Sequence, residues 1–107
     1  MVASREEKRF LLNISCILYF YSNGNEVKMV ADNNFTYIVA HTLQFWEKKL
    51  VSESFFRCHK GYLVNINNVL EVVPYFNSTL ALKFKDNKNI IPVGRKYLKM
   101  FKEAISW

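Results

Sequence analysis

A chain of 107 residues, half of them hydrophobic and 16% aromatic, holds one domain with a real core and has no room for a second. Three Gly and two Pro exclude a collagenous or disordered chain, and no apolar run nears the roughly 20 residues of a membrane helix, so a soluble, cytoplasmic protein is expected. The net charge of +6 lies wholly in the second half: six bases balance six acids through residue 53, and nine bases face only Glu71, Asp86 and Glu103 beyond it. An asymmetry of this kind is an electrostatic footprint for a polyanion.

Residues 1–9 are rich in charge and show no apolar period, which predicts a linker or N-terminal stub, with the ordered domain running from 10 to 107. The run from Phe10 to Tyr21 is dense in Ile, Leu and aromatics and predicts one or two strands, interrupted near Asn13-Ile14-Ser15. Ser22-Asn23-Gly24-Asn25 supplies a turn, because Asn and Gly tolerate positive φ, and a hairpin return through Glu26–Ala31 follows. After a second turn at Asp32-Asn33-Asn34, Phe35, Tyr37 and Val39 share one face of a strand.

The period then changes. Leu43, Trp46 and Leu50 fall at i, i+3 and i+7, with Lys48 and Lys49 in the last turn, predicting a short amphipathic helix over 42–51 capped by Thr42. Strand character returns at Phe55–Val64, yields to a turn or single helical loop at 65–68, and resumes at Leu70–Val73. Asn77-Ser78 predicts the turn of a hairpin whose second strand holds Leu80, Leu82 and Phe84. Asp86-Asn87-Lys88 turns into Ile90–Val93, and Leu98, Phe101 and Ile105 mark the inner face of a helix from about 95 to 106. The fold class is therefore mainly β with one short helix and a C-terminal helix.

The chemistry-bearing inventory is poor for an enzyme. There are two histidines, nine acids and no Gly-rich phosphate loop, and no pattern implies a cofactor or metal. Cys58 and His59 are adjacent, so on a strand they point to opposite faces and cannot act together as a thiolate and its base. Cys16 and Cys58 read as reduced, buried thiols. The segment Phe55-Phe56-Arg57-Cys58-His59-Lys60-Gly61-Tyr62-Leu63-Val64-Asn65 places His59 and Lys60 at a strand end or loop, with Arg57 a structural partner on the strand. Taken alone, His59 fits either a histidine tied to the backbone or a surface contact.

That segment, followed by Ile90-Ile91-Pro92-Val93-Gly94-Arg95-Lys96-Tyr97-Leu98, resembles the two strongest signatures of LytTR-type DNA-binding domains, and the likeness extends over about 10–106. The resemblance implies antiparallel sheets stacked as an elongated β sandwich. It also implies a bacterial transcription-factor output domain, commonly joined to an upstream receiver domain in a two-component response regulator or standing alone. Such domains insert loop residues into successive major grooves of double-stranded DNA, commonly at paired imperfect direct repeats and in some cases as dimers on DNA. By position, the implied contacts are Lys60, Arg95 and the first-hairpin loop around Asn23 and Asn25, with His59 and Lys96 as neighbours or phosphate contacts. A guanidinium can hold guanine O6 and N7 together, which favours Arg95 as the specificity residue. Asn23 and Asn25 can pair with an adenine edge or serve only to make the turn. Lys83, Lys85, Lys88, Lys99 and Lys102 are candidate phosphate neutralisers. Gly94 stands where the family often has Ser, removing a capping hydroxyl, and Ile90 and Ile91 leave Cys58 without a redox partner near Arg95.

Two other readings fit a basic, aromatic-rich β domain. One is a protein-interaction module that meets an acidic surface with its basic half, and the other is a single-strand nucleic-acid binder with aromatic stacking platforms.

Overall fold

The computed structural model describes residues 1–107. Ten strands and two helices follow one another as β1 (Val2–Arg5), β2 (Lys8–Leu11), β3 (Ile17–Asn23), β4 (Glu26–Ala31), β5 (Thr36–Val39), α1 (Leu43–Lys49), β6 (Phe55–His59), β7 (Tyr62–Asn65), β8 (Val69–Pro74), β9 (Leu80–Phe84), β10 (Ile90–Val93) and α2 (Leu98–Ala104). They form a seven-stranded sheet in the order β2-β1-β5-β4-β3-β7-β6 and a three-stranded sheet in the order β10-β9-β8. Every pairing is antiparallel. The molecule is elongated, 41 × 27 × 26 Å along its principal axes.

The central strand β3 explains the long apolar run. It is covered on both faces, and a strand covered on both faces reads as continuous hydrophobicity instead of alternation. Ile17 and Phe20 enter a core shared with Met29, Tyr37, Trp46 and Leu63, whereas Leu18 and Tyr19 enter a second core with Val64, Leu82, Ile91, Val93 and Phe101. A bulge between Ile17 and Tyr19 turns those two consecutive side chains to the same side. The first core is closed by α1, whose Trp46 ring stacks on Phe20 at 5.5 Å and donates Nε1–H to the Ala40 carbonyl at 2.7 Å. The second is closed by the small sheet and α2. Tyr19 places its hydroxyl at the rim of that second core, where it accepts from Asn89 Nδ2 at 2.9 Å; burial raises its pKa above the usual phenolic value.

Thr42 caps α1 as expected, its Oγ1 accepting from Phe45 N at 3.1 Å. The C-terminal segment departs from a uniform helix over 95–106. Arg95–Tyr97 form a 3-10 turn before α2 begins at Leu98, because Gly94 offers no capping side chain and Tyr97 has a flattened ψ of −5°.

The largest correction concerns residues 1–9, expected as a linker. Val2–Arg5 and Lys8–Leu11 pair as a hairpin, and Ser4 pairs with Ile38 of β5, extending the large sheet. Glu6 and Glu7 take φ of 53° and 65°, the two left-handed residues that such a turn demands. Ala3 is the one deeply buried residue of these two strands. A single small buried residue on two four-residue strands leaves no hydrophobic period to read.

Candidate nucleic-acid interface

The expected contact residues come from separate strand ends, and backbone bonds bring those ends together. Asn23 closes the β3–β4 hairpin opposite Glu26, and Gly24 takes φ 63° in its turn; Asn23 and Asn25 are both exposed. The neighbouring β6–β7 turn carries exposed Lys60. The two are stitched together by Ser22 N donating to the Gly61 carbonyl at 3.1 Å.

Arg57 organises the β6–β7 turn. Its Nε donates to the His59 carbonyl at 3.1 Å, one terminal nitrogen donates to the Lys60 carbonyl at 2.6 Å, and the other binds Glu47 Oε1 at 2.9 Å. One guanidinium thus gathers two consecutive carbonyls and anchors them to α1, a task suited to a planar fork. His59 faces inward to this turn: Nδ1 accepts from Gly61 N at 3.0 Å, so the hydrogen of its neutral ring belongs on Nε2. The histidine is therefore tied to the backbone, through the Gly61 amide.

The same strand reaches the third loop. Gly94 N donates to the Cys58 carbonyl at 2.8 Å, and a Cβ on Gly94 would stand 3.5 Å from His59 Cδ2 and 3.3 Å from Tyr97 Cδ2. The missing side chain at 94 thus lets the backbone that carries Arg95 lie against the His59 ring. Exposed Arg95 in turn donates to the Asn77 carbonyl in the β8–β9 turn, where Asn77 and Ser78 take φ of 52° and 65°. Four connections, β3–β4, β6–β7, β10–α2 and β8–β9, abut in that order. Lys96 and Lys99 are exposed just beyond Arg95.

The other lysines divide. Lys83 lies 4.0 Å from Glu71, Lys85 lines a hollow with Asp32 and Asp86, and the Lys102 ammonium sits 5.3 Å over the Trp107 ring. All three therefore have acidic or aromatic company within the chain. Sequence reasoning did not find Glu47, Ser22 or the Asn77 carbonyl, the groups that hold the loops in place. They act across 10 to 39 residues of sequence, and no local spacing marks them.

Cys58 is fully buried with its Sγ 3.6 Å from the Pro92 carbonyl, and burial pushes its thiol up to about 12, so it remains a thiol at neutral pH. A thiol-reactive probe added to the native protein at pH 7.5 is expected to label Cys16, which is partly exposed, and to reach Cys58 only after denaturant is added. Mass analysis of the labelled peptides gives the order.

The β scaffold thus gathers the exposed cations Lys60 and Arg95 in connections at abutting strand ends, a basic surface of the kind that suits a polyanion. The comparisons carry this further. A model of the LytTr DNA-binding domain family matches residues 7–106. The chain is 38% identical over 102 residues to sensory transduction protein LytT of Bacillus anthracis, and 28% identical over 100 residues to transcriptional regulatory protein YpdB of Escherichia coli K12. Each alignment covers 94% of the chain but only 40% and 41% of those relatives, so the chain spans about two fifths of their length. A solved LytTr DNA-binding domain from Bacillus cereus superposes with a TM-score of 0.90 at 24% identity, over 100% of this chain and 96% of that one, which establishes the shared fold. The chain belongs to the LytTr DNA-binding domain family.

Proposed function

We propose that the chain is the DNA-binding output unit of a cytoplasmic bacterial transcription regulator that reads double-stranded DNA through this loop array. The observation that carries the reading is the stitched set of strand ends, which holds Asn23 and Asn25, Lys60, and Arg95 on one continuous ridge. Loops fixed to a sheet by backbone bonds can enter a groove with little ordering cost, as a reading surface requires. In this reading Arg95 and Lys60 meet base edges in the major groove, Asn23 or Asn25 adds a contact, and His59 positions Gly61 and the Gly94 backbone. Lys96 and Lys99 hold phosphates. Paired imperfect direct repeats as the target, assembly as a dimer on DNA, and a receiver domain in a longer protein complete the proposal.

The test is a titration of labelled duplexes over a range of salt. Lys99→Ala is expected to weaken cognate and scrambled duplexes alike and to reduce the slope of log affinity against log salt by about 1, since one phosphate contact releases about one counterion. An affinity that ignores salt and is met equally by acidic proteins would favour a protein-interaction surface instead. Preference for single strands over duplex would favour a stacking platform.

A further inference from the structure

Asn23 and Gly24, at the tip of the β3–β4 hairpin, are the chain's one Asn-Gly pair. Of the two turn residues Gly24 alone has positive φ, 63°, the pattern of a type II′ turn. Both members of the pair are exposed, and the Gly24 N–H meets no backbone acceptor. Open space surrounds Gly24, where a Cβ would meet no atom within 4 Å. Other asparagines are tied down: Asn65 and Asn68 donate to the Ile17 carbonyl, Asn89 to the Tyr19 hydroxyl and Asn87 to Asn34. The Asn23 side chain makes no such bond.

An exposed, unbonded asparagine before a glycine is open to attack by its own backbone. The Gly24 nitrogen bonds to Asn23 Cγ, the Cγ–Nδ2 bond breaks, and Nδ2 leaves as ammonia with the proton that the Gly24 amide gives up. Water then opens the cyclic imide at either carbonyl, yielding aspartate or isoaspartate, and no other reactant is needed. Ring closure requires Asn23 to leave its strand conformation. Asn23 with Glu26 is the last rung of the ladder, where opening costs least.

We propose that Asn23 is a site of spontaneous deamidation that ages the reading surface. Either product is ionised at neutral pH and adds a negative charge to the loop. Isoaspartate also lengthens the backbone beside Ser22, whose N–H stitches the hairpin to the Gly61 carbonyl next to Lys60. The effect on binding rests on the duplex-binding reading above, and the chemistry stands apart from it.

The test incubates the folded protein at pH 8.5 and at pH 6 and maps its peptides by mass over time. The Asn23 peptide is expected to gain about one dalton ahead of every other asparagine, and faster at pH 8.5, where the attacking nitrogen loses its proton more readily. Asn77-Ser78 is the internal reference, since it is also exposed in a turn but Ser78 crowds the attacking nitrogen with a Cβ. Aged protein is expected to bind every duplex roughly three- to tenfold more weakly than fresh protein at low salt, with the gap closing as salt rises. Asn23→Asp is expected to show that loss without incubation. Asn23→Gln, which must close a larger ring, is expected to hold its own starting affinity throughout. Survival of the Asn23 amide for as long as those of the other asparagines would overturn the proposal, as would full affinity in aged protein whose Asn23 is converted. Should fresh protein bind no duplex, the duplex reading falls together with the effect on binding, and the mass map still decides the chemistry.

Discussion

Replacing Arg95 with Ala is expected to reduce the preference for the cognate duplex over a scrambled one by roughly 5- to 150-fold, the equivalent of about 1–3 kcal/mol for one guanine-type bidentate contact. The fold is expected to survive, because Arg95 is exposed and its one internal partner is the Asn77 carbonyl, which water can serve in its absence. That bond matters for the reading surface. It leaves four of the five guanidinium hydrogens free and lays the side chain across the β8–β9 turn, so in the proposed complex the arm would meet DNA partly ordered. Arg95→Lys separates charge from shape. An ammonium retains non-specific affinity but lacks the planar fork, so selectivity is expected to fall nearly as far as with Ala while affinity for scrambled DNA holds. Competition titrations with both duplexes measure the two quantities. Unchanged selectivity in Arg95→Ala would remove Arg95 from base reading.

Arg57→Ala is expected to reach both stability and binding. The side chain is 19% exposed, and its loss frees the His59 and Lys60 carbonyls and leaves Glu47 without its cation. Charge-assisted bonds in a partly buried setting contribute about 1.5–3 kcal/mol each, but turn carbonyls regain water when released, so the net cost is expected near 2–3 kcal/mol. Urea unfolding monitored by tryptophan fluorescence, in which buried Trp46 rather than exposed Trp107 changes surroundings, reads it. Because the lost bonds define the turn that carries Lys60 and Gly61, duplex affinity is expected to fall even where the variant is fully folded. Arg57→Lys keeps the charge and one bond at most, and is expected to recover less than half of either loss. A variant that unfolds early yet binds as the wild type would confine Arg57 to stability.

Much of this was legible in the sequence wherever one residue type answers to one local demand. Thr42 before a 3.6-period stretch, Gly24 in the β3–β4 turn and Asn77 in the β8–β9 turn each met the backbone conformation that their chemistry favours. The two signature segments marked Lys60 and Arg95 for the same reason of position. What escaped was of three kinds. The β1–β2 hairpin buries little beyond Ala3 and so leaves no period. The β3 bulge hides within a run that is apolar on both faces. The order of the loops depends on bonds such as Ser22 N to Gly61 O and Arg95 to Asn77 O, which join residues 18 to 39 apart and which local spacing cannot encode. For the same reason composition counted Lys83, Lys85 and Lys102 with the footprint, although Glu71, the Asp32 and Asp86 hollow and Trp107 attend them in the folded chain. Without such company in the second half stand Lys60, Arg95, Lys96 and Lys99, on or beside the stitched ridge, and Lys88, in the β9–β10 turn that Asn34 binds at the other end of β4.

The central claim is that this ridge reads a duplex. Selection of bound sites from a pool of random double-stranded DNA, repeated with Arg95→Ala, tests it most directly. The wild-type chain is expected to enrich paired imperfect direct repeats with a conserved guanine in each, and the variant to lose enrichment at that guanine while still retaining DNA at low salt. Recovery of no motif by the wild type, or of the same motif by both proteins, would contradict it.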